Sequence, residues 1–162
     1  GCVYEPHVLG VRAGQEFIIR NSDPLLHNVN AAPTTNRTFN IGQPRAGMET
    51  RRSFTQPEIM IPVTCQVHGW MESYIGVLDH PYFAVTSADG SFRLENLPPG
   101  TYTIEAWHEQ YGTQTQTVTV AAQQTGQAEF TFSAATATPV PLGKPFDPHQ
   151  HASVASAAAG SR

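Results

Sequence analysis

The sequence predicts an all-β fold. Thirteen glycines and thirteen prolines among 162 residues divide the chain into short segments, and these residue types mark turns and loops. The segments between them are rich in threonine and valine, which favour extended strands. In residues 101–107, Tyr102, Ile104 and Ala106 alternate with polar residues. That period of two is typical of a strand with one buried face.

Residues 1–79 predict a run of short strands separated by turns. A dense turn signal, Asn-Ser-Asp-Pro, occupies residues 21–24. Residues 31–50 are rich in proline, glycine and asparagine, and they predict a long loop with little regular structure. The strands predicted in this half are 8–11, 15–20, 26–29, 51–54, 59–64 and 74–78.

Residues 80–133 have a different composition and predict a second set of strands. The pair Asp89-Gly90 between two extended segments is a hairpin signal. The strands predicted here are 83–86, 91–94, 101–107, 113–120 and 127–132. Residues 134–162 consist mainly of Ala, Pro, Ser, Gly and Thr and cannot bury enough apolar surface to offset their ordering entropy. We expect an extended tail there that a partner surface holds.

The charge and hydropathy of the chain exclude some classes of protein. The net charge is −4 and no basic patch is present, so nucleic acid is not an expected partner. No apolar run approaches about 18 residues, so we expect no transmembrane segment. The sequence opens on Gly1-Cys2 without a signal peptide, and we therefore expect a mature or trimmed product.

Four possible metal ligands stand out. Cys65, His68 and Met71 follow one another with two residues between successive members, and His27 lies 38 residues before the cysteine. One thiolate, two imidazoles and one thioether form the donor set of a type 1 copper site with a weak axial methionine. Methionine argues against zinc, which prefers sites closed by N, S and O donors. The spacing therefore predicts one copper ion, with three donors from one loop and a fourth from a distant strand end.

Residues 1–79 resemble the cupredoxins, such as plastocyanin, pseudoazurin and amicyanin. The resemblance lies in residues 4–17, in the Asn-x-Asp and His-Asn-Val pieces of residues 21–29, and in the Cys-x₂-His-x₂-Met cluster of residues 65–71. It implies a cupredoxin-like Greek-key β-sandwich or barrel that transfers single electrons. The copper ligands that it implies are His27, Cys65, His68 and Met71.

Residues 82–133 resemble a different family, the carboxypeptidase-regulatory-like or transthyretin-like β-sandwich. The resemblance is carried by residues 86–104, which include Ala-Asp-Gly-Ser-Phe and Leu-Pro-Pro-Gly-Thr-Tyr. It implies a structural or adhesive part without a catalytic site. The usual opening strands are missing, so we expect a smaller, incomplete β-sandwich packed against the first half. The predicted domains are 1–79, 80–133 and the tail 134–162.

Cys2 leaves two alternatives open. The cupredoxin resemblance places it near the copper end, where it could form a disulfide with Cys65 and leave a metal-free fold. It could instead be an extra soft ligand, together with His7. Taken singly, His27 could be a turn histidine and Met71 could be core filler. Their occurrence together at the spacing of the family favours the ligand interpretation.

Two functions follow as hypotheses. The first is a periplasmic or extracytoplasmic type 1 copper protein that transfers single electrons and is attached to a membrane electron-transfer complex, which holds the tail. The alternative is a structural accessory subunit on the periplasmic face of a respiratory or photosynthetic complex, with the same fold and no copper. An enzyme is not expected, because no Ser or Asp partner pattern and no oxyanion-type glycine loop accompany Cys65.

Overall fold

The computed structural model describes residues 1–134 and the backbone of residues 153–159, and these residues form strands and no helix. The all-β prediction is therefore confirmed. No helix in this described part is long and apolar enough to cross a bilayer. The strands are β1 (Val8–Arg12), β2 (Glu16–Arg20), β3 (His27–Ala31), β4 (Phe39–Gln43), β5 (Glu49–Ser53), β6 (Glu58–Thr64), β7 (Glu72–Leu78), β8 (Phe83–Val85), β9 (Gly100–His108), β10 (Gly112–Val120) and β11 (Ser153–Ala159).

The chain divides into two compact units, Gly1–Pro81 and Tyr82–Arg162. The first unit has a five-stranded sheet in the order β1-β7-β6-β3-β4 and a two-stranded sheet of β2 and β5. Strand β1 is parallel to β7, whereas the other pairs are antiparallel. A parallel pair needs a long connection, and the intervening strands of the unit supply it.

The core of the first unit lies between its two sheets. Phe17 of β2 packs on Phe54 with 5.6 Å between ring centroids, and Phe39 of β4 packs on the same ring at 5.8 Å. These aromatic contacts connect the small sheet to the large one. The buried members of the cluster are Val11, Val29, Ala31, Phe54, Ile61, Val63, Ile75 and Val77.

The register of β3 on β6 positions the candidate ligands. Asn30 pairs with Thr64 and Ala31 pairs with Val63 in antiparallel register. Continued beyond the pair of Asn30 and Thr64, this register places the start of β3 beside the residues that follow β6. His27 is the first residue of β3, and Cys65 directly follows β6. The sheet therefore brings together two donors that are far apart in sequence.

The prediction of a long loop over residues 31–50 is wrong in part, because this segment contains β4 and the start of β5. In β4 the inward positions are Phe39, Ile41 and Gln43, and Gln43 is 1% exposed. Its amide donates to the carbonyl of Ile19 at 3.0 Å and to Thr50 Oγ1 at 3.2 Å. A polar side chain that is buried but hydrogen-bonded obscures the alternation that would have revealed the strand.

In the second unit the strand order is β10-β9-β11-β8. The predicted strands 101–107 and 113–120 correspond to β9 and β10, but 91–94 and 127–132 are not strands. Phe92, Leu94 and Phe130 nonetheless pack on the small core formed by Ile104 and Val118. These two segments therefore contribute apolar side chains to the core without joining the sheet.

Part of the predicted tail is described. Residues 153–159 form β11, which pairs antiparallel with β8 and β9. Residues 135–152 and 160–162 lie outside the described part of the chain, so the prediction of an extended tail held by a partner stays a prediction there. The predicted packing of one half of the chain against the other also stays a prediction.

Candidate metal centre

The turn before His27 is folded by hydrogen bonds from Asn21. Its side-chain oxygen accepts from the amide of Asp23 at 2.9 Å, and its side-chain nitrogen donates to the carbonyl of Leu25 at 2.8 Å. Asn21 is itself buried, at 4% exposure, and it also donates to the carbonyl of Gln43. The turn is therefore fixed to the body of the sheet, and the ring of His27 is held inside the protein.

The loop after β6 folds around the Cys65 sulfur. The amide of Cys65 donates to the carbonyl of Met71 at 3.1 Å, and the amide of Met71 donates to the carbonyl of His68 at 2.9 Å. The amide of His68 donates to Cys65 Sγ at 3.4 Å. Cys65 and Met71 are 1% and 3% exposed, while His68 is half-buried. The loop thus holds its three predicted donors on a single tight turn.

The two histidines and the cysteine converge. His27 Nδ1 lies 3.0 Å from His68 Nδ1, and Cys65 Sγ lies 3.8 Å from His68 Nδ1. Two nitrogen ligands that each lie about 2.0 Å from one metal ion are about 3 Å apart. The two histidines therefore lie at a spacing that one ion can bridge, and the Cys65 sulfur lies beside one of them, His68. Met71 belongs to the same loop and has a buried side chain.

Asp23 orients the ring of His27. Its Oδ2 lies 3.0 Å from His27 Nε2 and accepts from the amide of Cys2 at 2.8 Å. The hydrogen bond from Cys2 and then the one from His27 hold the pKa of Asp23 below its ordinary value. An ionised carboxylate only accepts, so it fixes the proton on Nε2 and leaves Nδ1 turned towards His68.

Asn28 connects the two stretches that carry the donors. Its side-chain oxygen accepts from the amide of Gln66 at 2.6 Å and lies 3.4 Å from Cys65 Sγ. The hydroxyl of Tyr4 donates to the carbonyl of Asn28. Burial and the neighbouring Cys65 raise the pKa of Tyr4 above its ordinary value. The cysteine sulfur therefore lies in an environment that is largely closed to water and well supplied with polar contacts.

Cys2 lies beside the same histidines. The sulfur of Cys2 and one ring nitrogen from each of His27 and His68 all lie within 4.8 Å of one another. Cys2 and Cys65 are both free cysteines. The structure therefore differs from the alternative in which these two residues form a disulfide, and both sulfurs are present as thiols.

Sequence reasoning did not identify Asp23 or Asn28 as parts of the site. Asp23 belongs to the predicted turn and to the Asn-x-Asp piece of the resemblance, but neither assigns it a role; its place four residues before a candidate histidine ligand is the signal that points to one. Asn28 follows His27 directly, but its role depends on the register of β3 against β6. No local pattern in the sequence contains that information.

Comparisons with known proteins give one family match and one similar structure. Residues 77–133 match the family model of the carboxypeptidase regulatory-like domain. A solved structure, a novel purple cupredoxin from Nitrosopumilus maritimus, is 20% identical with a TM-score of 0.41, and the similarity covers 46% of this chain and 81% of that chain. No curated protein matches. The family match thus falls on the end of β7 and on the second unit of the chain.

Proposed function

We propose that the first unit binds one copper ion through His27, Cys65, His68 and Met71, and that the protein transfers single electrons. The observation that supports this most directly is the convergence of two Nδ1 atoms 3.0 Å apart with a cysteine sulfur 3.8 Å from one of them. Thiolate and imidazole suit both Cu(I) and Cu(II), and copper held by this donor set changes oxidation state by one electron.

The contribution of the chain is to hold its donors in place. Cys65 and His27 are almost completely buried, and their positions are fixed by Asn28 and Asp23. Polar partners that orient ligands in this way keep the site from rearranging when the metal charge changes. We infer that little of the loop or of β3 moves during electron transfer, and this favours a carrier over an enzyme.

The surroundings of the donors suggest how a redox partner would bind. The stretches that carry the ligands also carry four large apolar residues that are exposed: Leu25, Leu26, Val67 and Trp70. Trp70 is 63% exposed, and its ring centroid is 5.3 Å from that of His68. Exposed apolar residues around a site favour weak docking of another protein. The proposed setting is periplasmic or extracytoplasmic, beside a membrane electron-transfer complex.

Addition of Cu(II) to the metal-free protein tests the proposal. We expect an intense visible absorption from the copper–thiolate bond, with one copper per chain. The Cys65→Ser variant should lose most of this band, because it lacks the buried thiolate. His80→Gln, which changes a histidine outside the donor set, should retain it. A wild-type protein that stays colourless and takes up no copper would contradict the proposal and would support the accessory-subunit hypothesis.

A further inference from the structure

Cys2 supplies a sulfur donor near the histidines that the four-ligand copper site does not use. Its sulfur and one ring nitrogen from each of His27 and His68 lie within 4.8 Å of one another. Cys65 is 1% exposed, whereas Cys2 is half-buried. The structure thus provides a buried thiol beside His68 and a more accessible thiol near both imidazoles.

The backbone of Cys2 is attached to the site at both of its polar groups. Its amide donates to Asp23 Oδ2 at 2.8 Å, and Asp23 also binds His27. Its carbonyl accepts from the indole N–H of Trp70 at 3.0 Å, two residues after His68. Asp23, which binds His27, and Trp70, whose ring lies beside that of His68, therefore both hold Cys2 in place.

Cys2 also has an unusual backbone conformation. Its φ is 58°, in the left-handed region that a residue with a side chain seldom adopts. Such a conformation persists where surrounding contacts enforce it, and it is often found at functional sites. Here the contacts with Asp23 and Trp70 enforce it, and they keep the thiol near the imidazoles.

We propose that Cys2 is a second thiolate ligand of the metal centre, which then offers two thiolates and two imidazoles to a soft metal ion. This inference rests on the proposed copper site and adds a ligand to it. Thiolates favour Cu(I), and a set of two sulfurs and two nitrogens also suits tetrahedral ions such as Zn²⁺ and Cd²⁺. The centre would therefore bind Cu(I) more tightly than one with a single thiolate.

Protection of each thiol from alkylation tests the proposal on the wild-type protein. The metal-free protein and the protein loaded anaerobically with one equivalent of Cu(I) are treated with iodoacetamide, and the modification rate of each cysteine is measured by peptide mass spectrometry. We expect Cu(I) to slow alkylation of Cys2 by about tenfold or more, since a coordinated thiolate is no longer free to react. An unchanged rate at Cys2 would overturn the proposal.

Substitution gives a second, independent measurement. Cys2→Ser should weaken Cu(I) binding by about a hundredfold or more, since loss of a ligand costs at least as much as loss of an orienting partner. Val3→Ala, a change at the exposed neighbour of Cys2, should bind as the wild type does. With Cd²⁺, the thiolate-to-metal absorption of Cys2→Ser should fall to about half, because one of two thiolates is lost. Unchanged Cd²⁺ absorption in Cys2→Ser would overturn the proposal.

The results separate this inference from the proposed function. If copper binds and requires Cys65, but Cys2 is alkylated at the same rate with and without Cu(I), the second ligand is excluded and the copper site stands. If the wild-type protein binds no copper at all, both fail. Far-UV circular dichroism checks that Cys2→Ser is folded, and the alkylation measurement does not depend on that variant.

Discussion

Asn28 shows how a single side chain can connect two distant parts of the site. Its oxygen accepts from the amide of Gln66 at 2.6 Å, and its nitrogen donates to Asn40 Oδ1 at 2.8 Å. Asn28 thereby attaches the strand that begins with His27 to the loop that contains Cys65. A residue in this place acts through the ligands, because it fixes their separation without contacting the metal itself.

We expect Asn28→Ala to weaken both the fold and the site. The amide of Gln66 would lose its acceptor, which should lower the free energy of unfolding by about 1–2 kcal/mol. Copper affinity should fall by about 10–100-fold, since Cys65 would no longer be held against β3. Urea unfolding and copper competition measure the two effects. Asn30→Ala, two residues along the same strand, removes only a long contact to Thr64 and should leave copper affinity near the wild-type value.

At the scale of residues, candidate donors could be named from the sequence, whereas the groups that orient them could not. His27, Cys65, His68 and Met71 could be named as candidates because their chemical types and their spacing are visible in one dimension. The resemblance placed Cys2 near the copper end, but its distance from the two histidines could not be predicted, because it depends on the path of the chain between residue 2 and β1. The hydrogen bonds of Asp23 and Asn28 likewise depend on how the turn and the sheet fold.

At the scale of elements, Glu58 holds the segment before β4 against the start of β6. Its carboxylate accepts hydrogen bonds from Thr34, Thr35 and Asn36. Burial alone would raise the pKa of Glu58, but the hydrogen bonds from Asn36 and Thr34 outweigh it and lower that pKa to about 2. The ionised carboxylate is therefore the form that stabilises this connection.

The low pKa of Glu58 predicts a pH dependence of stability. The folded-state pKa lies below the ordinary value of 4.5, so the stabilisation is fully present above about pH 4.5 and is lost as the pH falls towards about 2. Glu58→Gln should lower the free energy of unfolding at pH 7 by about 1–3 kcal/mol, and the difference from wild type should shrink below about pH 4.5. Urea unfolding at pH 7 and pH 3 measures both values.

A surface carboxylate provides the matched control for Glu58. Glu16 pairs with Arg51, and both side chains are more than half exposed. Glu16→Gln should therefore change the free energy of unfolding by only about 0–1 kcal/mol at pH 7. Amide hydrogen exchange at residues 34–36 should become faster in Glu58→Gln but not in Glu16→Gln. Equal exchange in both variants would show that Glu58 does not hold the segment.

Strands that follow the usual alternation could be predicted, whereas those that depend on side-chain partners could not. Strand β9 alternates clearly, and its bounds differ from the prediction by one residue at each end. In β4 the buried Gln43 disguises the pattern. Residues 127–132 have the alternation of a strand, yet they contact β10 through the side chains of Gln114 and Gln116. Such side-chain contacts replace the backbone ladder that would define a strand.

At the scale of the whole molecule, every candidate donor lies in the first unit. This unit has its own core between two sheets. The change in composition near residue 80 allowed the two halves to be distinguished from sequence. It did not show that the last strand of the first unit continues into the region that matches the carboxypeptidase regulatory-like model. That model begins at residue 77, while β7 ends at Leu78.

This overlap leads to a prediction about two fragments of the chain. A fragment of residues 1–81 retains all of β7 and should fold alone and bind copper as the full chain does. A fragment of residues 1–76, cut where the family match begins, lacks Val77 and Leu78, which are 0% and 4% exposed. It also lacks the two register pairs that they make with Val11 and Arg12 of β1.

The shorter fragment should be unfolded or severely destabilised. Each fully buried valine or leucine contributes about 1.5–3 kcal/mol, and a small domain has only about 5–15 kcal/mol in total. Far-UV circular dichroism, thermal unfolding and the visible absorption after Cu(II) addition compare the two fragments. If residues 1–81 fail to fold while the full chain folds, the first unit depends on the second one. Equal copper binding by both fragments would contradict the prediction. It would show that the donors keep their positions without Val77 and Leu78 and without the pairs that these two residues make with β1.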